Sequence, residues 1–392
     1  MNEKEVNRNV RLYKLYAVLG EPILWGPTMI LFIQRIGKMS LSEIYLMEAI
    51  VVGGIVLLEI PSGALADIIG RKKTMLLAQL FIFTSAILFA FINSPFDVWV
   101  SNILCMTGFA CRSGADSAFL YDSLKEVNRE AEYKKIEGSS MGGGLLAYAI
   151  SSLFVGFLSE IDLRLPFILT IPWILFSCIV VFCFKEPISI ERYVFKQQIN
   201  LMKTSILFVA NHGAVKWIIC FTAMIAVSSK LWFFAYNPYF ELVELELRYY
   251  GIVFFLLNIV AWFFSYNAHR VEKRIGEQAC IIGIVVLVGL PILLMGSIVS
   301  QVMVSMVLFQ NVVRGFMIPF FGDFINRYLD TKNRATVISI ESAVSGFVSV
   351  ISLFLFSFVL KIWSLTFSLQ VLGIIVFLLG IITIIQYRRI FK

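Results

Sequence analysis

The chain has 392 residues, 59% of them apolar and only 15% charged, with a formal net charge of +7. A water-soluble domain carries about 25% charged residues, so this composition excludes a protein whose whole surface faces water. The basic excess raises nucleic acid or acidic lipid as a partner, but the places where the bases fall point elsewhere.

Continuous apolar runs of about 17–25 residues are long enough to cross a bilayer as helices. Their lack of alternation argues against strands. After a charged opening, MNEKEVNRNVRLYK, the first run covers about 12–33. It has no small-residue cleavage site and reads as an uncleaved first span. The second, about 43–65, leads into a packet of glycines, an acid and bases, GALADIIGRKKTM (63–75). Spans three to six follow at about 74–93, 98–120, 138–159 and 165–184. The polar connection 185–214 mixes Lys196 and Lys203 with Tyr193, Val194, Phe195, Leu201 and Ile206. It reads either as a partly amphipathic segment on the inner membrane surface or as a flexible linker. The last six runs lie at about 215–238, 250–267, 278–298, 301–322, 335–360 and 364–386. The expected architecture is an all-α membrane protein of twelve transmembrane helices: an N-terminal six-helix bundle (1–184), a linker (185–214) and a C-terminal six-helix bundle (215–392).

Lysine and arginine gather in alternate connections: the N-terminal tail, Arg71–Lys73, 125–135, 185–216, 270–274, 327–334 and 388–392. The opposite connections hold Arg35, Lys38, Arg164, Arg248 and Lys361. This bias places the rich side, with both termini, in the cytoplasm of a cell-membrane protein. The basic excess is thus a topology signal, and no nucleic-acid partner is expected. The second half echoes the first. NAHRVEKRIGEQA (267–279) repeats the position of the opening packet, and the offsets from Gly70 to Gly276 and from Arg112 to Arg314 are nearly equal, as in a duplicated transporter fold.

Enzyme signals fail. GSSMG (138–142) fits a nucleophile elbow, but it opens a membrane helix, and the histidines, His212 and His269, lie at inner loops. No phosphate loop, H-E-x-x-H or C-x-x-C occurs. The six cysteines sit in or beside apolar runs with no metal or disulfide spacing. No catalytic residue, metal ligand or cofactor is expected.

GALADIIGRKK resembles the loop motif of the major facilitator superfamily through Gly63, Leu65, Ala66, Asp67, Gly70, Arg71 and Lys72. LLEIPSG (57–63) and YDSLKE (121–126) are similar to a drug-exporter-like or uncharacterised exporter branch of it. Drug–proton exporters of the superfamily carry a Gly-Pro pair in span five, where this chain has glycines and no proline. The physics of the motif fits: Gly63 lets helices approach closely, and Asp67 can accept from Arg71 while facing the N-terminus of span three. The resemblance implies a conformational latch in which Asp122 joins Arg71. The alternative is that Arg71, Lys72 and Lys73 only set topology. It also implies that spans one, four, seven and ten line a central cavity.

Charged side chains within spans are costly and usually functional. Here they are Glu21, Glu48, Glu59, Arg112, Asp116, Lys230, Arg314 and Glu341. Arg112 and Asp116 stand four apart and can pair, either in transport or as a structural ion pair. Glu21 has no base within one helical turn. It leads Asp116 and Glu341 as a proton-coupling candidate, against a simple polar contact. Glu48 and Glu59 read as interface or gating groups. Trp25, Trp232 and Tyr236 can offer ring faces to a substrate or merely pack helices. Glu21 and Asp116 against Arg112, Lys230 and Arg314 leave a positive excess, which favours an anionic or zwitterionic substrate. The expected function is alternating-access, proton-coupled export of an amphipathic small molecule by a monomer, with substrate, protons and the bilayer as its partners. The alternatives are an importer or facilitator of an organic anion, and a non-transporting sensor or lipid-handling protein.

Overall fold

In hydrocarbon an unpaired backbone N–H or C=O costs several kcal/mol, so a spanning chain closes its hydrogen bonds within helices. The computed structural model describes residues 1–187, 209, 212–328 and 331–391, and among these it is helical with no strand. The helices are α1 (Glu3–Leu19), α2 (Met29–Arg35), α3 (Leu41–Ile69), α4 (Arg71–Ala90), α5 (Pro95–Arg112), α6 (Ala115–Lys125), α7 (Tyr133–Ile161) and α8 (Leu165–Phe182). They continue as α9 (Gly213–Phe234), α10 (Tyr236–Leu242), α11 (Leu247–Ile275), α12 (Glu277–Ser297), α13 (Val307–Tyr328), α14 (Thr331–Ile362) and α15 (Leu365–Ile390). The amphipathic segment expected within 185–214 lies outside the described residues except at its ends.

Ten of the described helical segments are long and apolar enough to cross a membrane. The expected twelve continuous spans are corrected at the first and the fourth. Span one stops at Leu19, runs through Gly20, Pro22, Gly26 and Pro27, and resumes as α2. Span four breaks between α5 and α6 at Gly114, whose φ of +77° is left-handed and costs glycine little. Glu21 follows the first break's opening, and Arg112 and Asp116 flank the second. Irregular backbone at membrane depth survives only where protein or a water-filled cavity surrounds it.

By packing, the described residues form two units: 1–40, 50–187 and 247–254 in one, and 41–49, 209, 212–246 and 255–391 in the other. The opening turns of α3 and α11 are therefore assigned apart from the rest of their helices. In the first unit, Tyr13, Tyr16, Phe119, Leu124, Val181 and Phe184 pack in one buried cluster. In that unit too, Arg248 on α11 donates its backbone N–H to Glu160 of α7 at 3.2 Å. In the second, buried Trp217 packs on Phe221, Phe324, Tyr387 and Phe391, and its indole N–H donates to the Thr383 carbonyl at 2.7 Å. The Tyr45 hydroxyl donates to the Leu231 carbonyl in the same unit. On α15, Ile374, Ile375, Leu378, Leu379, Ile381 and Ile382 are exposed, which is a face suited to lipid.

Candidate functional site

The two broken helices of the first unit bring three charges together. Arg112, the last residue of α5, donates from Nη1 to the Gly20 carbonyl at 3.0 Å and from Nη2 to the Glu21 carboxylate. Its Nε stands 3.9 Å from Asp116 Oδ2. One guanidinium thus caps the frayed end of α1, whose last carbonyls have no helical partner, and holds two carboxylates. Asp116 sits in the first turn of α6, where an acid is favoured, and accepts the Ser117 N–H at 2.7 Å. The Arg112 side chain is 17% exposed, against 27% for Asp116 and 43% for Glu21. The base is therefore the most enclosed of the three.

In sequence no base stands near Glu21; the fold supplies one from the other side of the unit. Glu137 went unnoticed because it precedes the fifth apolar run. It lies one turn inside α7 and accepts the Tyr13 hydroxyl at 2.9 Å. A signal was present. Glu137, Ser140, Gly144, Tyr148 and Ser151 share one helical stripe. A Cβ on Gly144 would lie 2.8 Å from the Ala17 carbonyl oxygen, and the Ser151 hydroxyl donates to the Ile23 carbonyl.

The loop motif is assembled in the same unit. Arg71 meets Asp67 at 2.8 Å and Asp122 at 3.6 Å, so α3, α4 and α6 are tied by one guanidinium. Gly63 lies one turn before Asp67 on α3. Lys72 places its ammonium 5.5 Å from the Phe182 ring centre, and its backbone N–H donates to both oxygens of Glu186, at 3.2 and 3.1 Å. Glu186, hidden in the polar connection, therefore caps α4. Arg71, Asp122, Ser117 and Tyr133 line a cavity of about 330 Å³.

In the other unit Gly276 sits between α11 and α12 with φ +84° and ψ 158°, close to the +102° and 153° of Gly70. Here the polarity is reversed. Arg327 on α13 reaches Glu272 at 2.5 Å, Glu277 at 3.0 Å and Asp323 at 3.1 Å. Glu272 and Glu277 flank the turn, whereas Asp323 and Arg327 share α13.

The remaining candidates are spread. Glu48 lies one turn beyond Tyr45, whose hydroxyl donates to the carbonyl of Leu231, the residue after Lys230. Arg314 donates to Asn258 at 2.9 Å, and Glu341 accepts the Ser345 hydroxyl at 3.1 Å. Glu59 accepts the Ser113 hydroxyl at 3.0 Å in the first unit. The three aromatic candidates have their faces occupied. Trp25 is buried and stacked on Phe89 at 4.7 Å; Trp232 and Tyr236 are fully buried, edge to face at 5.7 Å, with the Trp232 indole N–H toward Met295 sulfur at 3.3 Å. Their apolar area stabilises helix packing, which leaves no ring face open to a solute. No cluster of three or more His, Cys, Asp or Glu side chains suited to a metal occurs among the described residues.

A profile described as Major Facilitator Superfamily matches residues 23–321. An uncharacterized transporter of Buchnera aphidicola subsp. Schizaphis graminum (strain Sg) is 25% identical over 214 residues, covering 53% of this chain and 52% of that protein. The match thus spans about half the length of that curated relative. Among solved structures, the nucleoside transporter NupG is similar with a TM-score of 0.77, 13% identity and full coverage of both chains. A D-xylose-proton symporter follows at 0.72, with 11% identity and 97% of each chain. A bacterial homolog to the human lysosomal transporter Spinster, inward-facing and unoccupied, scores 0.73 at 13% identity over 99% of this chain and 97% of that one. At such identities the likeness concerns the fold alone.

Proposed function

The chain belongs to the Major Facilitator Superfamily, and from that premise we propose a secondary active transporter that works by alternating access and exports an amphipathic, anionic or zwitterionic small molecule in exchange for protons. The observation that carries this reading is the Glu21–Arg112–Asp116 cluster at the two helix breaks. Two carboxylates on one guanidinium leave one in excess. That one can take up a proton while Arg112 keeps a charged partner, so protonation does not strand a cation at membrane depth. Ionisable chains of this kind mark proton and substrate paths, and discontinuous helices commonly carry them. In the second unit, Arg314 donates to Asn258 at 2.9 Å. A second reading, in which solute enters with the proton, is favoured by the likeness to a D-xylose-proton symporter.

The test is flux in proteoliposomes under an imposed pH gradient of either sign. The probes are fluorescein as an anion, tetraphenylphosphonium as a permanent cation, and uridine and D-xylose as neutral solutes. Fluorescein should move with the gradient, and Glu21→Gln should remove the pH dependence. Lys230→Gln and Arg314→Gln should each lower its flux about ten- to hundredfold, as expected for losing a charged hydrogen bond of about 1.5–3 kcal/mol. Efficient transport of tetraphenylphosphonium, undiminished in both variants, would reverse the charge assignment. Flux of D-xylose or uridine down a proton gradient would select the second reading.

A further inference from the structure

The function proposed above uses Glu21, Arg112 and Asp116, and leaves a third carboxyl of the same unit unused. Glu137 stands one turn into α7, just past the basic 125–135 connection assigned to the cytoplasmic side. It is bonded to Tyr13, a residue only 3% exposed, at 2.9 Å. Tyr13 lies two turns before Glu21 on the same chain segment. Ser117, whose N–H holds Asp116, lines the same cavity as Tyr133. The titratable group in hydrogen-bond contact with Glu137 is Tyr13 from α1; Tyr133 lies one turn before it on its own helix, and Lys134 and Lys135 beside it on α7 are exposed. The cavity of about 330 Å³ opens along Ser117 and Tyr133, next to these groups. A half-buried carboxyl and a buried hydroxyl are costly in a membrane bundle and usually functional there. Neither belongs to the loop motif, and neither touches Arg112.

We propose that Glu137 is the inner proton-exchange group of this transporter, with the Tyr13 hydroxyl as its hydrogen-bond partner. The inference rests on the proton-coupled reading. The transfer balances. The Tyr13 hydroxyl donates to the Glu137 carboxylate and turns away when that carboxylate takes up a proton. Tyr13 ends unchanged in charge, its hydroxyl rotates back, and Glu137 releases the proton to cytoplasmic water. In the reverse direction each step runs backwards.

Infrared pH titration of the purified full-length protein decides the proposal without knowledge of the substrate. Wild type should show a titrating carboxyl band that is missing in Glu137→Gln and displaced along the pH axis in Tyr13→Phe. A titration identical in wild type and Glu137→Gln overturns it. Flux of fluorescein then separates exchange from support. In Glu137→Gln the gradient-driven flux should fall about tenfold or more, while fluorescein self-exchange at equal pH is unchanged and Glu137→Asp restores part of the driven flux. Driven flux and self-exchange falling together would mean that Glu137 only holds α7 against α1, and would overturn the assignment. Wild-type flux of all four probes that ignores the pH gradient would overturn the coupled reading and this one with it. A wild-type dependence that survives in Glu137→Gln would overturn this one alone.

Discussion

Gly70 shows how much one residue carries. Its φ of +102° is a conformation that other residues reach only with strain, and a Cβ there would lie 2.9 Å from the Glu186 carboxyl carbon. Gly70→Ala is therefore expected to destabilise by about 1–3 kcal/mol. Glu186→Ala, which removes the cap on α4, should cost about 1 kcal/mol. The double variant should lose less than the two together, because the alanine methyl no longer meets the carboxyl. Thermal unfolding of the detergent-purified protein measures all three, and strict additivity would deny the contact. At this scale the sequence was half legible. The glycine stood out in its motif, whereas its partner, 116 positions later by residue number, lay in a polar connection with nothing to mark it. The same holds for Glu21: an acid in an apolar run is visible, but its base arrives from a helix 91 positions away.

Between elements, the loop motif of the first unit is governed by Arg71, which binds an acid on α3 and another on α6. Asp67→Asn or Arg71→Ala removes a charged contact whose side chains are only 10–15% exposed. A loss of about 1–2 kcal/mol from one conformation shifts its population roughly five- to thirtyfold. Transport should slow while the protein still inserts and purifies as a folded species. Wild-type flux in both variants, at matched expression, would leave Arg71 with no role beyond topology. The motif was readable because its residues are local, and an i,i+4 pair across a helix junction needs no tertiary knowledge. Its counterpart around Arg327 was only half readable. The glycine echo marked the turn, but the acids and the base have exchanged helices, and the pairing emerges once α13 is packed beside α11 and α12. The breaks in spans one and four were likewise hidden. A hydropathy window averages over Gly20, Pro22 and Gly114 and reports continuous spans.

For the whole molecule, the expected orientation puts 91–97 outside and 125–135 inside. In a cysteine-free background a membrane-impermeant maleimide should label Asn93→Cys in intact cells and Ala131→Cys only after permeabilisation; both positions are exposed. The opposite labelling would invert the topology. What the sequence determined by itself was the class of protein, most of its helical spans and its family motif. These depend on local quantities: the length of an apolar run, a cluster of bases beside it, a spacing within one turn. What the tertiary structure decided was which groups meet. Arg112 joins Glu21, Tyr13 joins Glu137, Glu186 caps α4, and Trp25, Trp232 and Tyr236 turn into the packing. A membrane helix that is apolar on every side gives no amphipathic stripe to fix its rotation. Which face meets which neighbour is settled by close packing and by the need to pair each buried polar group, and both are properties of the assembled helices.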